Sequence, residues 1–355
     1  MRDIHFSLRH GLMSLFDRVS HLNRTGFLLI VAVSILLTCA SQSFAGMVTF
    51  GSGDNQFQME FVTIGNPGNT ADTTGAPNPA GGVGYVYGIG TYEVSEDMIT
   101  KYNANFGVAN ALVITKDSRG PNKPATSVSW NEAARFVNWL NTSTGKYAAY
   151  KFATSFVNYG ITPWTASETE DYDETNPFRS KRATFVLPSY NEWYKAAYYN
   201  PRDKTYYDYT NGSDTNPNDI ASGENPNTAV YNQTYAQGPA DVRQAGGPSP
   251  FGVIGLGGNV TEWEESTFDV SASNYNDSGT SARGVRGGDW TSAAISLSSS
   301  ARYGFNFGPG AEYDSIGFRI VTLSPPAAVP EPSTMAIFGL GALGMAYRAR
   351  RKAKA

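Results

Sequence analysis

The sequence predicts an irregular α+β domain, in which a few helices sit among short strands and long loops. Three observations carry this. Segments opening at Ser129 and Ser189 bear complete helix-start signatures. Residues 200–330 are broken every few positions by Gly, Pro and Asn. The apolar runs within them are short, as in Phe318-Arg-Ile-Val321. With 41% hydrophobic and 13% aromatic residues and a net charge of −4, the 355-residue chain is not a disordered polymer.

In chain order, residues 65–84 are rich in Gly, Pro, Asn and Thr and read as a loop, followed by a strand over Tyr85-Val-Tyr-Gly-Ile89. A helix starts near Ser95 and runs to about Tyr102. Ser129-Trp-Asn-Glu132 is a capping box: the serine accepts an orphan amide and the glutamate reaches back. Behind it Ala133, Phe136, Val137 and Leu140 keep the spacing of one buried helix face. Ser189-Tyr-Asn-Glu192 repeats the box, with Trp193, Ala196 and Ala197 behind it and Pro201 past the end.

The two ends differ from this middle. Residues 27–37 are apolar except Ser34, follow a leader carrying Arg2, Arg9, Arg18 and Arg24, and precede the small-residue site Ser43-Phe44-Ala45. That order describes a signal peptide cleaved after Ala45. The competing reading, a membrane anchor, needs about 20 apolar residues. Met13 is an alternative start, and Cys39 bears a weak likeness to a lipoprotein site. The other end runs Val329-Pro-Glu-Pro-Ser333, then apolar Met335–Tyr347, then Arg348, Arg350, Arg351 and Lys352. It resembles the PEP-CTERM sorting tail, which implies an exosortase-type partner and removal of the tail during export from a Gram-negative, polysaccharide-producing bacterium. Basic residues after an apolar run also hold that end on the cytoplasmic side. The expected organisation is a signal peptide over 1–45, one domain over 46–324 and a sorting segment over 325–355, placing the protein at the cell surface or outside the cell.

Between the ends, residues 46–330 keep 18 of the 27 Lys and Arg and 28 of the 31 Asp and Glu, a net charge of −10. Such a surface repels phosphate backbones and excludes nucleic acid as a partner. His5, His10, His21 and Cys39 are the only histidines and the only cysteine. Once the leader is removed, no imidazole or thiol remains for a Ser-His-Asp triad, a cysteine nucleophile, a disulfide or a Cys/His metal site.

Six landmarks then follow in order over about 230 residues: Glu93-Val-Ser95, Val128-Ser-Trp-Asn-Glu-Ala133, Leu187-Pro-Ser-Tyr-Asn-Glu-Trp193, Gly257-Gly-Asn-Val-Thr-Glu-Trp263, Arg286-Gly-Gly-Asp-Trp290 and Gly317-Phe-Arg-Ile320. The series resembles the formylglycine-generating enzyme, or sulfatase-modifying factor, family. The resemblance implies one elaborated C-type-lectin-like domain. It also implies a copper-binding cysteine pair shortly after the Arg-Gly-Gly motif, where this chain has Ser292 and Leu297. Thiolate is what Cu(I) favours, so neither copper nor formylglycine-generating activity is expected. The related iron chemistry needs a histidine triad and is excluded with it.

The resemblance further implies calcium. Glu262 with the backbone oxygens of Gly258 and Val260 matches part of one site, while Gly255 stands where a further Asn or Asp ligand is usual, and Val230 replaces the Asn that opens a second site. Calcium takes about six to eight oxygens, so these losses weaken both sites. The competing expectation makes Glu262 a carboxylate held by nearby backbone amides. No other cofactor is required.

The remaining candidates are ring and charge clusters. Glu262, Glu264, Glu265 and Asp289 could supply a hydrolytic carboxylate pair, or simply be surface charge. Trp130, Trp139, Trp193, Trp263 and Trp290 lie in or beside the motifs and are expected in the core. Trp164, between Pro163 and the acidic stretch Glu168–Glu174, is the candidate exposed contact. Tyr198, Tyr199, Tyr206, Tyr207 and Tyr209 either line a binding face or cover the core beneath loops. Arg286, Arg302 and Arg319 are expected to pair with buried carboxylates or loop carbonyls. The reading that unites these features is an exported, non-catalytic module binding a polysaccharide, another glycan or a surface protein, with a non-redox enzyme and a purely structural matrix protein as alternatives.

Overall fold

The computed structural model describes residues 45–153, 160–269, 279–304 and 306–325. The sorting tail and all of the expected signal peptide except Ala45 lie outside the described residues. No described helix is long and apolar enough to cross a membrane.

Three helices form where the local signals place them. Helix α1 (Glu96–Tyr102) is capped by Ser95, whose hydroxyl accepts from the Met98 amide, and continues into one π-helical turn, Asn103–Gly107. Both α2 (Trp130–Ser143) and α3 (Tyr190–Tyr198) begin with complete capping boxes from Ser129/Glu132 and Ser189/Glu192. On α2 the predicted stripe Ala133, Phe136, Val137 and Leu140 is fully buried.

Among the described residues eight strands form the two larger sheets: β1 (Ala45–Phe50), β2 (Phe57–Ile64), β3 (Tyr87–Gly90), β4 (Phe185–Val186), β5 (Thr261–Thr267), β6 (Arg283–Arg286), β7 (Ile316–Gly317) and β8 (Val321–Thr322). Three two-stranded pairs lie in the loops besides. The larger sheet has the order β1-β2-β3-β8-β4, antiparallel throughout. On β2, Phe57, Met59 and Phe61 alternate toward the core, where rings from Phe50, Phe136, Trp139 and Phe185 meet the two phenylalanines at centroid distances of 5.7–6.3 Å.

The strand expected from Tyr85 begins instead at Tyr87. Tyr87 pairs with Ile64, the last residue of β2, so Tyr85 and Val86 have no strand beside them and stay outside the ladder. The expected loop over 65–84 holds, pinned midway by a bridge between Asp72 and Ala80.

The smaller sheet, β6-β5-β7, pairs β5 antiparallel to β6 and parallel to β7. Its central strand, Thr-Glu-Trp-Glu-Glu-Ser-Thr, is buried at all seven positions although three of them are glutamates. Buried carboxylates need partners, and those partners define the candidate site.

Candidate functional site

Each glutamate of β5 meets an arginine. Arg319 Nε donates to Glu262 Oε1 and Oε2 at 2.9 and 2.6 Å, and its Nη2 donates to Oε1 at 2.5 Å. Trp193 Nε1 on α3 adds a 2.7 Å bond to Oε2. The remaining Arg319 donors reach the carbonyls of Gly90 and Ile254, at 2.9 and 3.0 Å. Glu264 receives Arg286 Nε and Arg302 Nε, each at 2.8 Å. On the other face Glu265 takes Asn176 Nδ2 at 3.1 Å and Arg179 Nε at 2.6 Å, and Arg179 Nη2 also reaches Glu192 at 3.3 Å. The expected pairing of Arg286, Arg302 and Arg319 with buried carboxylates is therefore what the fold contains.

Asn259, just ahead of β5, ties the network to the loops. With a positive φ of 61° it donates from its backbone to the Val230 carbonyl (2.7 Å), accepts from the Trp290 amide (3.0 Å) and receives the Ala240 amide on Oδ1 (2.8 Å). Its Nδ2 donates to Glu93 Oε1 at 2.8 Å. Glu93 Oε2 is buried without a hydrogen-bond partner among the described residues. Burial pushes the Glu93 carboxyl up to about 8, against the pull of Arg319 and with help from the Glu262 charge. The acid is thus neutral near pH 7, the state a desolvated carboxyl prefers.

The calcium ligand set fares differently from its expectation. Glu262 is 0% exposed and both its oxygens are engaged by a guanidinium and an indole. The competing expectation of backbone amide partners is corrected as well, since the partners come from side chains on α3 and next to β8. Gly258 and Val260 flank the turn, but a β-carbon at Gly255 would fall 2.5 Å from Glu93 Oε1, so Glu93 fills the space a ligand side chain at 255 would need. Among the described residues no group of three His, Cys, Asp or Glu side chains is arranged to hold a metal. The donor set of Gly258, Val260 and Glu262 does not fit a calcium ion, because a cation there would have to displace the Arg319 guanidinium.

The other candidates are scattered. Asp289 Oδ1 accepts from Thr291 N, Thr291 Oγ1 and Ser292 Oγ at 2.8, 2.7 and 3.1 Å, which makes it the cap of its own turn. Leu297, at the second cysteine position, is 1% exposed and packs with Ala229 and Tyr231. Trp130, Trp139, Trp193, Trp263 and Trp290 are all core. Trp164 is half-buried, with its indole 3.5 Å from the Ala149 carbonyl and Lys151 Nζ 5.8 Å from its ring. Tyr206 donates to the Gly81 carbonyl at 2.7 Å and leans on Tyr194 and Tyr199, while Tyr207 bonds Asp203 at 3.1 Å. Tyr198 and Tyr199 are buried. The side-chain contacts of Trp164 thus fall on Ala149 and Lys151, and those of Tyr206 and Tyr207 on Gly81, Tyr194, Tyr199 and Asp203. What the sequence left unread is Tyr85, expected inside a strand and found exposed at the mouth of an open cleft. The end of β2 two residues short of it is the only signal, and it is a register effect.

These elements, a curled sheet with few helices, long pinned loops and an arginine-locked Gly-Asn-x-x-Glu-Trp strand, define the formylglycine-generating-enzyme type of C-type-lectin-like α+β fold. The Sulfatase-modifying factor enzyme 1-like domain matches residues 41–323, and the chain belongs to that family. A PEP-CTERM protein-sorting motif matches residues 328–352 and implies export, membrane-anchored sorting and recognition by exosortase-type machinery. Among solved structures, Treponema denticola variable protein 1 aligns with a TM-score of 0.52 and 19% identity, over 79% of this chain and 99% of that one. CarF gives 0.48 and 18% over 78% and 98%, and PvdO from Pseudomonas aeruginosa gives 0.46 and 18% over 80% and 99%. At these identities the likeness is one of fold alone. No curated protein matches the chain.

Proposed function

We propose that the chain is an exported, non-catalytic module that binds a glycan or protein ligand at the cell surface or in extracellular material. One observation carries the reading: the scaffold keeps its buried arginine–carboxylate lock, while the positions of the redox cysteines hold Ser292, bonded to Asp289, and Leu297, buried in the core. A hydroxyl is a poor ligand for Cu(I), and a buried leucine offers nothing to a substrate. Carboxylate chemistry has little support either, since Glu262, Glu264 and Glu265 are buried and ion-paired. The test incubates the full chain with copper and a cysteine-containing sulfatase peptide and follows peptide mass. No conversion is expected, and turnover would overturn the reading. A purely structural matrix protein remains the second reading, favoured if no saturable ligand is found among glycans or surface proteins.

A further inference from the structure

We infer that the cleft between residues 82–86 and the 173–181 loop is a binding site for a neutral saccharide. This rests on the reading that the chain binds a ligand rather than transforming one. The cleft encloses about 430 Å³, within the range of about 300–1,000 Å³ typical of small-molecule sites.

Three features select the ligand class. The first is a fixed ring. Tyr85 is 44% exposed, yet its hydroxyl donates to Glu192 Oε1 at 2.8 Å, and its ring meets Tyr87 edge-on at 6.1 Å and 68°. An aromatic face already immobilised loses little entropy on contact with the C–H face of a sugar. The second is spent charge. Both oxygens of Glu192 and of Glu265 are taken, by Tyr85, Ser189, Arg179 and Asn176, and Lys181 Nζ donates to the Thr169 carbonyl at 2.6 Å. The two charges left at the rim, Asp173 and Lys181, are of opposite sign and offset each other, so the wall as a whole favours neither a phosphate or uronate nor an amine. The third is unspent neutral polarity. Gly84, Tyr85 and Val86 make no backbone hydrogen bond to another described residue. Asn176, in the cleft wall, keeps a buried Oδ1 with no donor. Hydroxyl groups both donate and accept and suit such a lining. A second sizeable cleft, near α1 and residues 241–244, lacks such a ring, because Arg243 covers Tyr92 at 4.4 Å.

The test applies the full chain, in a sugar-free detergent, to an array of neutral oligosaccharides and their uronate- and phosphate-bearing counterparts, then titrates the best neutral hit. Saturable binding to at least one neutral glycan is expected. Tyr85→Ala should weaken it about tenfold or more and Tyr85→Phe, which keeps the ring but loses its tether to Glu192, by less, while the distant Tyr235→Ala should leave it within about twofold. If Tyr85→Ala does not fold, Val86→Glu, at an exposed position in the mouth, should give the same loss. Neutral-glycan binding untouched by Tyr85→Ala and Val86→Glu would overturn this site but leave the broader binding reading standing. Binding to charged glycans alone, or to none, would overturn the neutral-saccharide assignment. Peptide turnover, or the absence of a saturable ligand among both glycans and surface proteins, would overturn the broader reading.

Discussion

Glu93→Gln isolates the energetic consequence of the buried acid beside Arg319. Glu93 is fully buried, and burial is the main cause that raises its carboxyl from an ordinary 4.5 to about 8. At about pH 4 and below, folded and unfolded chains both hold the proton and the group contributes no pH dependence. Between about 4.5 and 8 the unfolded chain releases the proton while the folded chain retains it, so stability falls as pH rises. Above about 8 the penalty is complete. A shift of this size is worth up to about 5 kcal/mol at roughly 1.4 kcal/mol per unit. Glutamine keeps the shape of the neutral acid, and its carbonyl can still accept from Asn259 Nδ2. Wild type and Glu93→Gln should therefore have nearly equal stability at about pH 5, with the variant more stable by several kcal/mol at about pH 9. Urea unfolding followed by tryptophan fluorescence measures this, and the difference between the two curves cancels every other titrating group. Parallel curves from about pH 5 to 9, or a variant less stable at the upper end, would refute a neutral Glu93.

Three further outcomes follow from the same geometry. Glu262→Ala leaves the Arg319 guanidinium buried without its carboxylate and should cost about 3–5 kcal/mol, whereas a chelator should barely move the Tm. A large chelator-induced drop restored by calcium would show that the Gly258–Glu262 turn holds an ion after all. Ser189→Ala removes one half of the α3 capping box and should lower stability by about 1 kcal/mol in the same urea assay, with Ser189→Gly costing less. Intact mass of exported protein should place the mature ends near Gly46 and Pro330, and a species still carrying Met335–Tyr347 would sink removal of the sorting tail.

Helix starts were legible because their causes are local. Ser129 with Glu132, and Ser189 with Glu192, satisfy orphan amides within one turn, and no distant residue can override that. The arginine pairings were legible in kind, since a charged residue inside a run such as Gly317-Phe-Arg-Ile320 must find a partner. Strand β5 was not legible. Thr-Glu-Trp-Glu-Glu-Ser-Thr reads as a solvated turn, and only arginines far along the chain, Arg179, Arg286, Arg302 and Arg319, make it the centre of a sheet. The exposure of Tyr85 was hidden for a related reason: it depends on where β2 stops rather than on the residues around Tyr85 itself.

That contrast bears on how such a scaffold changes function. Arg319 holds β3, β5 and the Ile254 loop together through one guanidinium, and Asn259 joins the Val230, Ala240 and Trp290 segments through one amide side chain and its backbone. Truncating one partner of such a buried pair leaves an uncompensated charge, so the lock constrains the motif residues even when no reaction depends on them. The positions that follow the motif are under no such constraint. At the end of the Arg-Gly-Gly-Asp-Trp motif, Ser292 needs only to complete a turn with Asp289, and Leu297 only to fill space beside Tyr231. The residues that carry the family motifs are thus those that hold loops in place. Under the saccharide site proposed above, ligand choice falls to Tyr85 and Val86, with the Tyr85 ring held through Glu192.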